Sequence, residues 1–355
     1  MSQRTPSQPK RPLIALTMGD AAGIGPEIIA GSWPETVIHD WCRPFVVGHP
    51  EIMRRAVALW QNRVEVVEIR SAAEADPHPG RIPCLPCCRD DVLDVAPGRI
   101  DPRAGQAAFD AVVAAGGLAM AGEVDAVTTA PLQKKALREA GHLHPGHTEL
   151  LAEICGVSDV EHFAMMLYLA PSDDLPLGPS GLAVVHVTLH TAMADALAQL
   201  SEQAVLGKAR LADRFMTQIM GGQPRIGVCA VNPHAGEDGL FGDEERRIIA
   251  PAIARGRAEG LRLEGPVSSD SVFVQARDGR FDAVVAMYHD QGHIALKLLG
   301  MHRAVNVTLG LPIIRTSVAH GTAMDIAWTR RAETSGMIEA VRVASQLAGG
   351  RCAKR

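Results

Sequence analysis

The chain has 355 residues, enough for two domains, and 47% of them are hydrophobic against 21% charged, which supplies sizeable cores and excludes a disordered polyelectrolyte. The formal net charge of -5 leaves no global attraction to nucleic acid or to an anionic membrane surface. Residues 1–12 are polar, no apolar run is long enough to span a bilayer, and the 7 cysteines are odd in number and scattered; these features predict a cytoplasmic protein without signal peptide, membrane helix or disulfide framework.

Short apolar runs alternate with helical patterns along the chain, which predicts an α/β architecture. Residues 13–17 read as a first strand. The turn Gly19-Asp20-Ala21-Ala22-Gly23-Ile24-Gly25 then leads into a helix from Pro26, a residue suited to the first helical turn. Its glycines do not have the dinucleotide spacing G-x-G-x-x-G, so it reads as a plain strand-to-helix turn. Residues 45–47 form a second strand closed by Gly48, and the Pro- and Cys-bearing stretch 76–99 reads as irregular. Within it, Cys84, Cys87 and Cys88 read as a surface turn beside Pro83 and Pro86, because no second Cys or His pair stands at finger-like spacing. A helix is expected over about 105–121 and a strand over 124–128. Thr148 is placed to cap the next helix. Residues 171–181 read as a turn-rich surface loop between two strands. Thr334 is placed to cap a last helix whose Met337, Val341, Ala344 and Leu347 face the core.

Three apolar runs lead to a histidine: 182–189 to His190, 226–231 to His234, and 283–287 to His289. In open parallel sheets ligands collect at the carboxyl ends of strands. Three imidazoles arriving there by separate routes have the donors to hold one divalent ion and leave positions open for substrate. His147 and Thr148 open a helix, whose N-terminus suits an anionic oxygen, and Lys134 and Lys135 add charge nearby. The run His289-Asp290-Gln291-Gly292-His293 is followed by Lys297, Asn306 and Arg315, the last two standing where apolar runs end. Lys297 and Arg315 suit a phosphate or carboxylate, Arg through its planar fork. Asp270, beside a strand-like Val272-Phe273, reads either as a capping aspartate or as a carboxylate that orients a ligand or handles protons.

These residues resemble the 4-hydroxythreonine-4-phosphate dehydrogenase family. The matching stretches are 17–28, 129–149, 232–237, 287–292 and 306–321, in family order. Tyr288-His289-Asp290-Gln291-Gly292 and Gly310-Leu311-Pro312-Ile313-Ile314-Arg315-Thr316-Ser317 are the most specific strings. The resemblance implies an α/β, two-domain fold of the isocitrate/isopropylmalate dehydrogenase type with a cleft between the domains. Residues 1–145 with 316–355 would form the cofactor side, and 146–315 would carry metal, substrate and dimer contacts. It implies a homodimer whose metal histidines are His190, His234 and His289, the last from the partner subunit. His147, Thr148, Lys297, Asn306 and Arg315 match substrate-binding positions. Asp270 and Asp290 match aspartates close to the metal, and with Lys297 they are the catalytic candidates. His320, Gly321, Thr322 and Asp325 lie in a loop similar to the nicotinamide-cofactor loop of the wider superfamily, for NAD or NADP.

The implied reaction is metal-assisted oxidation of a phosphorylated 3-hydroxy acid, followed by loss of carbon dioxide from the 3-keto acid. Histidine-rich coordination suits zinc, with magnesium, cobalt or manganese as alternatives. The general base stays unassigned. Gln133, His293, the context of His190 and the 171–181 loop depart from the biosynthetic members and are similar to paralogues acting on D-threonate or D-erythronate 4-phosphate. The alternatives are a dehydrogenase of an aromatic cis-dihydrodiol carboxylate, a non-catalytic metabolite-binding protein on the same scaffold, and a metal hydrolase, which would have no use for the 320–325 loop.

Overall fold

A computed structural model describes residues 11–157, 163–175 and 177–352; the first ten residues and position 176 of the 171–181 loop lie outside the described residues. The described strands are β1 (Leu13–Thr17), β2 (Arg43–Gly48), β3 (Glu65–Glu68), β4 (Arg81–Pro86), β5 (Ala126–Thr129), β6 (Ala164–Leu169), β7 (Leu182–His186), β8 (Ile226–Cys229), β9 (Leu263–Val267), β10 (Ala283–Ala286), β11 (Val305–Leu309) and β12 (Arg315–Val318). They form one 12-stranded sheet in the order β3-β4-β2-β1-β5-β12-β11-β6-β7-β10-β8-β9. Central strands such as β1 and β5 are buried along their whole length, which is why they read as continuous apolar runs.

Pairing is parallel on both flanks and antiparallel at three central steps, β12–β11, β11–β6 and β6–β7. Three reversals leave the two parallel flanks running in opposite directions. The carboxyl ends of β1, β5 and β12 therefore lie on one rim, and those of β7, β8 and β10 on the opposite rim. The three strands that precede His190, His234 and His289 thus end on the same rim.

Helices pack on both faces. Pro102–Met120, capped by Asp101 accepting from the Arg103 N–H (2.9 Å), packs against β1, β2 and β5. The last helix, Ser335–Cys352, packs on β12, β5 and β11 and buries Met337, Val341, Ala344 and Leu347. Helix His147–Ile154 packs against Pro102–Met120.

Several local readings need correction. The stretch expected to be irregular contains β4, which pairs with β2 and β3 despite Pro83, and Cys84 is buried in the core rather than on a surface turn. Cys87 and Cys88 come directly after the strand, with their sulfurs 3.6 Å apart. Thr148 lies inside the first turn of its helix; Gly146 is the N-cap. Val272 and Phe273 belong to helix Ser269–Arg277, not to a strand. Arg315 opens β12, and Asn306 sits inside β11 instead of after an apolar run.

Candidate active site

A cavity of about 820 Å³ lies over the antiparallel middle of the sheet. Its floor is set by strand register. Thr129 pairs with Ser317, Ser317 with Asn306, and Asn306 with Leu167. Two residues along, Arg315 pairs with Thr308 and Thr308 with Met165, beside His186 at the end of β7. Residues two apart on a strand share a face, so side chains from five strands converge on one surface.

One end of the cavity is built to receive an anion. Arg315 is 2% exposed, and its Nη1 and Nη2 donate to Thr308 Oγ1 (3.0 Å) and Thr129 Oγ1 (2.7 Å). Its Nε has no partner, and among the described residues it forms no ion pair with a carboxylate. Burial pushes this guanidinium down to about 9, with Glu149 pulling the other way, so it still carries charge at neutral pH. Two further lining atoms, His147 Nε2 and Asn306 Oδ1, are buried without a hydrogen-bond partner. Burial, and then the charge of Arg315, hold the His147 imidazole well below its usual range, so it is neutral. Thr148 and Lys134 complete this end, at the N-terminus of helix His147–Ile154. Unsatisfied buried polar groups are costly, and here they gather around a cation that has no ion pair among the described residues.

Imidazoles line the other end. β7 and β10 are neighbours in parallel register, with Ala286 opposite His186, so the segments after them emerge side by side. His190 lies after β7, and His289 opens helix His289–Gly300 after β10. Their rings are 5.8 Å apart between centroids. Burial, and then the charge of Lys134, push His190 down. His289 Nδ1 lies 2.7 Å from Asp290 Oδ1, so Nδ1 is the donor and Nε2 stays free as a ligand. Behind them His293 stacks on His289 (3.8 Å between centroids, 12° between planes) and its Nδ1 is 3.1 Å from His186 Nε2. Lys297, one turn after His293, also lines the cavity.

His234 is elsewhere. It is exposed, does not line the cavity, and has Phe241 as its ring neighbour at 6.3 Å. It opens a run of six residues with left-handed φ, from 52° at His234 to 99° at Gly239. Glu245 pins the base of this strained turn by accepting from the Val231 and Asn232 N–H groups (2.8 and 2.7 Å). Gly236 lies so close to Glu245 that a Cβ would fall 2.8 Å from its Oε2. Asp270, in the first turn of helix Ser269–Arg277, and Asp290 are both exposed.

His320 and Gly321 border the cavity, whereas Asp325 is exposed. Thr322 is buried against the N-terminal glycine turn. Its carbonyl accepts from the Ile24 N–H (3.1 Å), and its Oγ1 accepts from Gln133 Nε2 (3.4 Å).

The sequence pattern described as "Pyridoxal phosphate biosynthetic protein PdxA" matches residues 40–344. The chain belongs to this family. It is 46% identical to a D-threonate 4-phosphate dehydrogenase from Pectobacterium atrosepticum, over 95% of this chain and 99% of that one. It is 44% identical to a 4-hydroxythreonine-4-phosphate dehydrogenase from Beijerinckia indica subsp. indica, over 94% of each. Among solved structures, a 4-hydroxythreonine-4-phosphate dehydrogenase from Klebsiella pneumoniae is similar with a TM-score of 0.81 and 45% identity, covering 95% of this chain and 99% of that one.

Within this family fold, the metal histidines expected from the sequence separate into two groups. Within one chain the His190 and His289 rings lie 5.8 Å apart, and His234 stands apart from both. The reason is the strand order: β7 and β10 are adjacent in register, while the left-handed turn after β8 carries His234 outward. Among the described residues of one chain no three His, Cys, Asp or Glu side chains are placed to hold a metal ion. The free Nε2 of His289 beside His190 still fits two donors of a three-histidine set. The reading of the sequence missed His186 as a pocket residue. Its signal was present: the apolar run from 182 is interrupted there, four residues before His190.

Proposed function

We propose that this protein is a metal-dependent, NAD- or NADP-linked dehydrogenase of a phosphorylated 3-hydroxy acid, 4-hydroxythreonine 4-phosphate or D-threonate or D-erythronate 4-phosphate, and that oxidation is followed by decarboxylation. The observation that carries this reading is one cavity with an unpaired buried Arg315 at one end and two imidazoles with available nitrogens at the other. The names of the similar proteins support it.

Arg315, with Asn306, His147 and Thr148, would hold the phosphate, and the neutral His147 has a ring nitrogen to spare for it. Lys297 supplies positive charge beside the histidine end, where a carboxylate and then a developing enolate oxygen would lie. Asp290 fixes the tautomer of His289. When bound, a divalent ion (zinc, or magnesium, cobalt or manganese) supplies Lewis acidity and a nicotinamide cofactor supplies the electron acceptor. His320, Gly321, Thr322 and Asp325 would hold that cofactor, the loop being braced on the turn at Ile24.

A homodimer would complete the metal set. Helix His289–Gly300 and its end leave Ile294, Leu298 and Met301 58%, 83% and 45% exposed, at helical spacing on one face. Met193 and Leu197 after His190, Val274 one turn from Asp270, and Leu240 and Phe241 after His234 are also exposed. Exposed apolar side chains of this kind mark an association site, and they follow His190, His234 and His289 closely in the chain. We assign it to a second copy, which would bring His234 of the partner subunit to His190 and His289, with Asp270 on the covered face. The two oppositely directed flanks of the sheet would be the two domains, and the setting would be the cytoplasm.

The test is a substrate panel followed by NADH or NADPH absorbance with added divalent metal: 4-hydroxy-L-threonine 4-phosphate, D-threonate 4-phosphate, D-erythronate 4-phosphate and a cis-dihydrodiol acid. Turnover of a phosphorylated acid with release of carbon dioxide is expected. Turnover of the dihydrodiol acid alone, or of none, defeats the reading.

A further inference from the structure

One amide outside the cavity ties together the segments that carry the imidazole end. Gln291 stands in the first turn of helix His289–Gly300 and does not line the cavity. Its Oε1 accepts from the Met287 N–H (2.6 Å), and its Nε2 donates to the Ala230 carbonyl (2.8 Å) and to Ser269 Oγ (2.8 Å). Ser269 Oγ donates in turn to the Ala230 carbonyl (3.0 Å). Met287 follows β10, Ala230 follows β8, and Ser269 opens helix Ser269–Arg277.

Each of these partners stands close in the chain to a candidate site residue. Met287 is two residues before His289, Ala230 four before His234, and Ser269 one before Asp270. The Met287 carbonyl accepts from the Thr188 N–H (3.2 Å) and from its hydroxyl (2.9 Å), two residues before His190. Beyond Ala230, Glu245 takes over by holding the Val231 and Asn232 N–H groups at the base of the turn that carries His234. His190, His234, His289 and Asp270 are therefore braced from one hydrogen-bonded node.

The node needs an amide. A Glu or Gln three residues into a helix commonly reaches back to accept from a backbone N–H at the helix start, and Gln291 does this at Met287. A carboxylate could keep that bond but would set an oxygen against the Ala230 carbonyl. An apolar side chain of the same length could make neither bond. Among side chains of this length, only glutamine accepts on one side and donates on the other.

We propose that Gln291 is a positioning residue of the imidazole end: it sets where His289 stands against His190, and where the turn bearing His234 leaves the sheet, without touching substrate or metal. This rests on the metal-dependent reading and adds to it a residue on which metal affinity depends. In the dimer of that reading, His289 serves one site and His234 the site of the partner subunit, so each Gln291 braces both sites.

The experiment titrates the metal-free protein with cobalt(II), followed by visible absorption, and separately with inorganic phosphate, followed by calorimetry. Gln291→Glu keeps the size and shape of the side chain, and it keeps the test open if Gln291→Met does not fold. Both variants are expected to bind cobalt about tenfold or more weakly than the wild-type protein, as when a group that orients a metal ligand is lost. Ser269→Ala, which leaves both backbone hydrogen bonds of Gln291 in place, should stay within about threefold. Phosphate affinity, set by Arg315 at the other end, should be the same in all four proteins. Unchanged cobalt affinity in both Gln291 variants, or equal weakening of cobalt and phosphate, overturns the assignment and leaves the metal reading standing. Absence of cobalt binding by the wild-type protein overturns both.

Discussion

The two ends of the cavity are built in different ways. The anion end is fixed by strand register: Thr129, Asn306 and Arg315 come from three neighbouring strands, and the hydrogen-bond ladder sets their spacing. The imidazole end is carried on segments that lie beyond the strand ends, a loop after β7 and the first turn of a helix after β10, while the left-handed turn after β8 holds His234 apart from it. A ladder completes its half of the site within one chain. Strand-end segments leave His234 facing outward, and side chains near it in sequence, Leu240 and Phe241, are exposed. One end of the site is thus complete within the fold, and in the proposed reading the other would be completed by a second copy.

The sharpest way to break this comparison is at His289. His289→Ala should cut turnover by about a hundredfold or more and lower the metal bound per chain, with the far-ultraviolet dichroism unchanged. Full activity with full metal content would remove the metal role from this end.

Arg315→Met probes the other end. Losing charge-assisted hydrogen bonds worth about 1.5–3 kcal/mol should lower kcat/KM for a phosphorylated substrate by about ten- to a hundredfold. The melting temperature without ligand should hold or rise, because a buried, uncompensated charge has gone. Unchanged kcat/KM would show that the anion binds elsewhere.

Leu298→Glu separates the two ends. Leu298 is 83% exposed in one chain, so folding should survive the charge. Light scattering at micromolar concentration should show monomers, with substrate-anion binding retained and turnover reduced at least tenfold, since a charge buried across an interface costs several kcal/mol. A variant that remains a fully active dimer would move the interface off this helix.

Asp20→Asn, at a residue that does not line the cavity, has the smallest effect on the site. Asp20 is fully buried in the N-terminal turn; its Oδ1 accepts from the Ala22 N–H (2.8 Å) and its Oδ2 has no partner. Burial raises its pKa from 3.8 to about 6. The folded value lies above the unfolded one, so the protonated form is the one the fold prefers. The contribution of Asp20 to stability is therefore fully present below about pH 4 and is lost as pH rises through about 6, by on the order of 3 kcal/mol. Melting temperatures measured from pH 4 to 7 should fall less steeply in Asp20→Asn, and identical slopes would refute the assignment.

The sequence made part of this legible. β1 and β5 could be read because they open on apolar residues and are buried throughout, β2 because only its first residue is not buried, and the last helix because Met337, Val341, Ala344 and Leu347 are buried at helical spacing. β4 was hidden by Pro83 and Pro86, and β3 by its exposed Glu65 and Glu68 at the sheet edge. Val272 and Phe273 have β-branched and aromatic side chains, yet their segment folds as a helix, with Val272 in the core. His186 escaped notice because Val187 and Leu189 extend the apolar run past the true end of β7.

The sequence by itself determined the chemistry available to this protein: six of its histidines, Lys297, Arg315 and Asn306 stand in specific strings, and side-chain identity is a local property that survives any fold. Only the tertiary structure decided who meets whom. Three antiparallel pairings turn one flank of the sheet against the other, bring Arg315 and His186 onto one floor, pair His190 with His289 and leave His234 outside. The joins of β5 to β12 and of β6 to β11 are made between residues more than a hundred positions apart, and no local pattern encodes them.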